Sequence, residues 1–159
     1  MDTLPQKHPR ITQVYAVVFD ENGDILIGRE SEEKGWVICG GSPEEGETIE
    51  ETLRRELIEE LDVTVNNIHL LGAQEVEWKK SEKAKRSEKY YQIRMIADID
   101  ELLPQTIDPA HHIVWERKIV PASQITEYVS WGVIGEALFY DAIKLWKAQS
   151  ASRDSLLSR

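Results

Sequence analysis

Residues 41–63, GSPEEGETIEETLRRELIEELDV, carry the most regular pattern in the chain. Thr48, followed three residues later by Glu51, fits a capping box, in which side chains satisfy free backbone N–H groups at a helix start. The sequence therefore predicts a helix over residues 48–61. Apolar side chains recur at every fourth position of this helix and form one stripe, which must pack against another layer of the protein. The members of this stripe are Ile49, Leu53, Leu57 and Leu61.

Three carboxylates, those of Glu56, Glu59 and Glu60, lie on adjacent turns beside the apolar stripe, and Glu60 projects into it. Carboxylates at the edge of a buried face repel one another and lose hydration, which destabilises the fold unless something compensates. The compensating group is either an arginine, such as Arg55, or a hard divalent cation. The acids alone would fit a solvated helix edge with salt bridges. Three acids beside one arginine leave an excess of negative charge, which favours a metal.

The spacing of the whole segment resembles the Nudix box. Gly41 is followed after five residues by Glu47 and after seven more by RELIEELDV at residues 55–63. Each fixed position matches except one, where Asp62 stands in place of glycine. The resemblance implies an α/β fold, a Nudix-type α/β/α sandwich with a mixed β-sheet. It also implies a hydrolase that cleaves a diphosphate linkage in a nucleotide-like small molecule, with Mg²⁺ or Mn²⁺ as cofactor.

The resemblance also assigns roles to individual residues. Carried over position by position, it implies catalytic roles for Arg55, Glu56 and Glu59. It implies metal binding by Glu56, Glu59, Glu60 and the backbone carbonyl near Gly40, and structural roles in the box for Gly41 and Glu47. Arg29 matches an arginine that reaches the substrate's phosphates in many relatives, although an ordinary surface arginine at a strand end explains it equally well.

Two positions depart from the pattern of the family. Asp62 replaces a glycine with positive φ, a conformation that aspartate tolerates better than most residues, so we expect a small effect. Cys39 replaces a proline before the Gly-Gly pair. We expect a small buried thiol there, since the chain holds no second cysteine to pair with it.

The rest of the chain predicts strands that alternate with helices in a single domain over residues 1–150, followed by a flexible tail over 151–159. We expect a polar hairpin loop at 79–89 and an amphipathic helix at 131–147 that buries Trp131, Ile134, Leu138 and Leu145. One strand should begin at His111 and His112, whose side chains would then point to opposite faces. The strands are expected at 11–20, 25–28, 36–39, 68–78, 88–98 and 111–120.

Composition excludes several classes of function. The net charge of −10 is concentrated in residues 41–63, so nonspecific nucleic-acid binding is not expected, whereas divalent cations would be attracted. No apolar run could cross a membrane, and the first ten residues lack the core of a signal peptide, so the expected location is the cytoplasm. The sequence leaves open whether the chain forms a homodimer.

Two other functional hypotheses compete with that of a hydrolase. One is a noncatalytic Nudix-like regulator that binds a nucleotide, and the other is an isomerase of isoprenoid diphosphates with the same fold. The complete set of Arg55, Glu56, Glu59 and Glu60 favours the enzyme over the regulator, and the position of Cys39 does not suit the isomerase. The expected substrate is a nucleoside triphosphate or another nucleoside diphosphate derivative.

Overall fold

A β-hairpin opens the fold, as its alternating β-branched and aromatic residues predict. Gly23 adopts a φ of 82° in the turn, and the Asp20 carboxylate accepts hydrogen bonds from the backbone N–H groups of Asn22 and Asp24. The computed structural model describes residues 10–78 and 88–157, so most of the predicted loop at 79–89 lies outside the described residues. The strands are β1 (Ile11–Phe19), β2 (Ile25–Arg29), β3 (Gly40–Gly41), β4 (Val63–Trp78), β5 (Glu88–Leu102) and β6 (Glu116–Val120), and the helices are α1 (Ile49–Leu61), α2 (Ile125–Tyr128) and α3 (Gly132–Leu157).

The strands form one mixed sheet in the order β4-β5-β1-β2-β6, with β3 paired to β1. β1 and β5 run parallel, and the other pairs are antiparallel. Alternate residues of β1 enter two separate cores, as the two-residue period of a strand requires. Val14 belongs to the core beneath α1, whereas Val17 belongs to the core beneath α3. The sheet therefore lies between helices, which confirms the expected α/β/α architecture.

The short strand before the box lies later than expected. Val37 makes only an isolated bridge to Gly28, and the strand pairs are Gly41 with Val14 and Gly40 with Tyr15. The prediction of a strand over 36–39 was therefore wrong by several residues. A Cβ atom on residue 40 would overlap the carbonyl oxygen of Val14, so only glycine allows this close approach of the two backbones.

The predicted strand at 111–120 is half as long in the structure. β6 begins at Glu116, and the preceding residues form turns and bends. His112 has a φ of 59°, which no strand residue adopts. The predicted alternation of His111 and His112 across a strand was therefore wrong.

The C-terminal helix is longer than predicted. α3 continues through Leu157, because Asp98 of β5 accepts hydrogen bonds from Trp146 Nε1 at 2.7 Å and Arg153 Nη1 at 2.6 Å. Its buried face also differs from the prediction, since Ile134 is 54% exposed. The fully packed positions are Leu138, Phe139 and Ala142. No helix within residues 10–78 and 88–157 is long and apolar enough to span a membrane.

Candidate active site

Helix α1 presents its acids where the helical spacing predicts. Thr48 caps the helix by accepting a hydrogen bond from the Glu51 N–H at 3.1 Å. Leu53 and Leu57 are completely buried against the sheet. Glu60 is only 6% exposed, so its carboxylate lies at the edge of the apolar core rather than in solvent.

Arg55 connects the loop before α1 to the acids of the helix. It donates to both oxygens of Glu47, at 2.8 and 2.9 Å, and to the carbonyl oxygen of Ser42 at 3.1 Å. It also donates to Glu56 at 3.0 Å and to Glu59 at 3.3 Å. The hydrogen bonds from Arg55 lower the pKa of Glu47 to about 2, and those from Glu47 raise the pKa of Arg55. A single guanidinium thus fixes the box loop and two glutamates relative to each other.

Gly41 makes room for the carboxylate of Glu56, because a Cβ atom at residue 41 would overlap that carboxylate. Glu56 in turn contacts Glu60. Burial, followed by the hydrogen bond with Glu56, raises the pKa of Glu60 to about 9. Burial also raises the pKa of Glu59. Cys39 lies beside Glu60 as a buried thiol whose pKa is raised by burial and then by the charge of Glu60, in agreement with the expected structural role.

Glu56 and Glu60 open onto a cavity of about 450 Å³, whereas Glu59 is not among the described residues that line it. Its lining includes Glu56, Glu60 and Gly40–Gly41, together with three aromatic side chains. His111 is the only Lys, Arg or His side chain among the described residues that line this cavity. The other side chains at its surface are those of Gln13, Tyr15, Val37, Ile38, Ser42, Ala110, Trp115 and Trp131.

The loop before β6 holds His111 in place through Asp108. The Asp108 carboxylate is 1% exposed and bonds to His111 Nδ1 at 2.9 Å, Trp115 Nε1 at 2.8 Å and the Ala110 N–H at 2.8 Å. Burial opposes ionisation of Asp108, but these hydrogen bonds outweigh it and keep its pKa below the usual value. The hydrogen bond to Asp108 raises the pKa of His111. Sequence analysis missed Asp108, although the Asp-x-x-His spacing is a local signal for such a turn.

A comparison with protein families identifies the domain. The NUDIX domain family matches residues 9–137. The chain belongs to the Nudix family. It is 39% identical over 59 residues to the oxidized purine nucleoside triphosphate hydrolase of Danio rerio, a match that covers 35% of this chain and 38% of that relative. The chain therefore matches little more than a third of this curated relative's length.

Solved Nudix structures share the fold of this chain. The MutT mutator protein from Bacillus halodurans superposes with a TM-score of 0.62 at 22% identity, over 84% of this chain and 82% of that one. The pyrophosphohydrolase RppH from Bacillus subtilis superposes with a TM-score of 0.53 at 23% identity, over 75% of this chain and 66% of that one. At such identities the similarity shows the fold alone.

Arg29 lies outside the cavity of this Nudix domain. Its Nε donates to Glu116 at 2.5 Å, and its guanidinium lies 4.3 Å from the centre of the Trp36 ring. It is not among the described residues that line the cavity. Binding of a substrate phosphate by Arg29 stays a prediction, and it would require the side chain to leave Glu116. His112 is exposed and also lies outside the cavity lining.

The acids of the Nudix box are engaged by other groups of the protein. Within residues 10–78 and 88–157, no three His, Cys, Asp or Glu side chains converge as a preformed metal site. Glu59 bonds to Arg55, while Glu56 and Glu60 contact each other. Two neighbouring, partly desolvated acids beside the backbone of Gly40–Gly41 match the chemistry of a hard divalent cation, whose charge would favour their ionised forms.

Proposed function

We propose that this chain is a divalent-metal-dependent pyrophosphohydrolase. Its substrate would be a nucleoside triphosphate or another nucleoside diphosphate derivative, cleaved within its diphosphate linkage. The observation that carries the proposal is the contact between Glu56 and Glu60 at the wall of a cavity large enough for a nucleotide. Acids this close together in a fold without metal destabilise it, and their retention at a cavity favours a functional role over a structural one.

Mg²⁺ or Mn²⁺ would be held by Glu56, Glu59 and Glu60 together with the backbone carbonyl of Gly40. A bound divalent cation supplies charge neutralisation for the diphosphate and for the oxygen nucleophile. Residues of the protein would orient the acids and accept a proton. Arg55 orients Glu56 and Glu59, and Glu59, whose pKa is raised by burial, accepts the proton of the attacking water.

The other walls of the cavity would bind the organic part of the substrate and a phosphate. Trp131 packs its ring against Tyr15 at 6.0 Å between centroids, and both line the cavity, so they offer flat surfaces to a nucleobase. His111, held by Asp108, would donate from Nε2 to a phosphate oxygen. The name of the Danio rerio relative makes oxidized purine nucleoside triphosphates the first substrates to test.

A substrate panel tests this proposal directly. Nucleoside triphosphates, oxidized purine nucleoside triphosphates and nucleoside diphosphate derivatives are incubated with Mg²⁺ or Mn²⁺, and the products are identified by mass. We expect cleavage within the diphosphate linkage that disappears with excess chelator. Glu56→Gln should abolish turnover, whereas Glu50→Gln should not, since Glu50 is an exposed acid of the same helix that pairs with Arg54. Saturable binding without turnover of any compound would instead support a noncatalytic regulator.

A further inference from the structure

Arg94 differs from the other arginines whose contacts the structure records. Most of them pair with a carboxylate, and Arg117 donates to the carbonyl oxygens of Leu61 and Asp62. Within residues 10–78 and 88–157, no acidic side chain lies within 4.0 Å of the Arg94 guanidinium. This is unusual in a chain with 29 acidic and 19 basic residues. The arginines paired with acids are Arg29, Arg54, Arg55 and Arg153.

The guanidinium of Arg94 is also incompletely hydrogen-bonded. Nη2 donates to the side-chain oxygen of Gln74, a neutral acceptor. Nε is buried and has no partner, and it is the only buried side-chain nitrogen or oxygen in this state among the described residues. A buried donor without an acceptor destabilises a fold, and a buried positive charge without a counter-ion does so more strongly. Burial accordingly lowers the pKa of Arg94, although an arginine stays protonated at physiological pH.

The surroundings of Arg94 form a groove of about 350 Å³ between the sheet and α3. Its lining combines the polar side chains of Gln74, Arg94 and Asp141 with the apolar side chains of Ile134 and Leu138. Arg94 is aligned with Gly72 on β4, and a Cβ atom on Gly72 would meet nothing within 4 Å, so this side of the guanidinium is open. The groove therefore presents the Nη side of the guanidinium to a ligand, whereas the unpartnered Nε is enclosed by the protein.

Tyr15 connects this groove to the catalytic cavity. Tyr15 is the β1 residue aligned with Arg94 on β5, and it lines the cavity that contains Glu56 and Glu60. The charges of Glu60 and Arg94 both act on the Tyr15 hydroxyl, with burial as the larger effect on its pKa. A substrate bound at the carboxylates could thus extend past Tyr15 towards Arg94.

We propose that Arg94 binds an oxyanion, a phosphate or a carboxylate, that the substrate carries outside the linkage being cleaved. That the anion is part of a substrate rests on the proposed hydrolase function, whereas anion binding by Arg94 does not depend on that function. The Nη groups on the groove side of the guanidinium would donate to an oxygen of such a group, and its negative charge would offset a positive charge that the neutral Gln74 does not. A neutral ligand would accept the same hydrogen bond without offsetting that charge.

The subsite can be tested without metal and without turnover. Thermal melting is measured in EDTA with sodium phosphate or sodium acetate, against sodium chloride of equal ionic strength. We expect the wild-type melting temperature to rise by about 3 °C at tenfold the dissociation constant. Arg94→Gln should remove the rise. Arg54→Gln, which removes a charge from the surface of α1, should keep it. Equal responses in wild type and Arg94→Gln would overturn the proposal.

Asp141 supplies a variant with the opposite expected effect. This exposed acid lies at the edge of the groove, where its charge repels an incoming anion. Asp141→Asn should therefore lower the phosphate concentration needed for half of the melting shift. An unchanged concentration in this variant would contradict an anion site in this groove.

Matched substrates test the subsite during turnover. NADPH differs from NADH, and coenzyme A from its dephospho form, by one phosphate outside the diphosphate linkage. Wild type should show a KM about tenfold lower for the phosphorylated member of a cleaved pair, and Arg94→Gln should remove this preference with little change in kcat. Cleavage with equal KM values would overturn the inference and leave the hydrolase function intact. A phosphate-induced melting shift without cleavage of any compound would support the anion site and contradict the hydrolase function. If Arg94→Gln changes only the discrimination between neutral purine bases, the anion assignment is wrong.

Discussion

The Asp62 carboxylate holds Thr106 by two hydrogen bonds, from the Thr106 N–H at 2.7 Å and from its hydroxyl at 2.6 Å. Asp62 has a φ of 51° and a ψ of 45° and ends α1 where the box usually has glycine. Its carbonyl oxygen also accepts the Leu103 N–H at 2.8 Å. The residue that terminates α1 therefore also attaches the loop that carries Asp108 and His111.

Replacing Asp62 by glycine should destabilise the protein, contrary to the small effect expected from the sequence. Glycine keeps the left-handed conformation but removes both bonds to Thr106, at an expected cost of about 2 kcal/mol in unfolding free energy. Because the loop also holds His111, KM for the substrate should rise. Urea unfolding and steady-state kinetics measure the two effects. The unfolding free energy of Asp62→Asn, which keeps one acceptor oxygen, should lie between those of wild type and Asp62→Gly. A loss below about 0.5 kcal/mol in Asp62→Gly would show that these contacts do not stabilise the fold.

Arg55 should not be replaceable by lysine. The planar guanidinium bonds to Glu47, Glu56, Glu59 and the Ser42 carbonyl at the same time, which a single ammonium cannot do. We expect kcat in Arg55→Lys to fall by about a hundredfold at saturating metal, because the carboxylates are displaced. Arg54→Lys, one residue earlier on the exposed side of α1, is the control. Retention of wild-type kcat in Arg55→Lys would show that charge alone is sufficient at this position.

Glu60 should make the metal-free protein less stable as the pH rises. Its folded pKa of about 9 lies far above the unfolded value of about 4.3, so the folded state binds a proton that the unfolded state has released. Stability is therefore lost progressively between these two pH values. Glu60→Gln removes this dependence. In EDTA, its melting temperature relative to that of wild type should therefore rise as the pH increases from 5 to about 8. A difference in melting temperature that does not change with pH would contradict the raised pKa of Glu60.

The Asp108 carboxylate should control the charge of His111. The hydrogen bond from His111 to Asp108 is the main cause of the raised pKa of His111, with a smaller contribution from Glu30. Titration of the His111 ring by NMR should give a midpoint above the usual value of about 6.5. Asp108→Asn should lower this midpoint, and Glu30→Gln should lower it less. An unchanged midpoint in Asp108→Asn would show that the hydrogen bond between His111 and Asp108 does not form in solution.

The sequence predicted helix α1 well because the features that determine this helix are local. The cap, the apolar stripe and the acids all lie within 41–63, so periodicity places them relative to one another. The strand predictions at 36–39 and 111–115 were wrong because tertiary contacts override the strand propensity of valine, isoleucine and tryptophan. Asp108, for example, bonds to Ala110, His111 and Trp115, and thereby folds the chain into turns.

The contacts that complete the site join distant parts of the chain. Asp62 and Thr106 are 44 residues apart, and Tyr15 meets Arg94 only because β1 and β5 are neighbours in the sheet. No periodic pattern marks either pair. Whether an acid lies beside Arg94 likewise depends on which segments the fold brings near it, so only the structure shows that none of the described acids does.

Metal binding by Glu56 and Glu60 can be measured by thermal melting in a magnesium titration at neutral pH. We predict that Mg²⁺ raises the melting temperature of wild type and of Glu50→Gln in a concentration-dependent manner, because the cation binds only the folded state. Glu56→Gln and Glu60→Gln should melt at or above the wild-type temperature without metal and should respond weakly to Mg²⁺. If wild type shows no magnesium-dependent shift and both variants melt lower without metal, the two carboxylates are structural salt-bridge partners and the account is wrong.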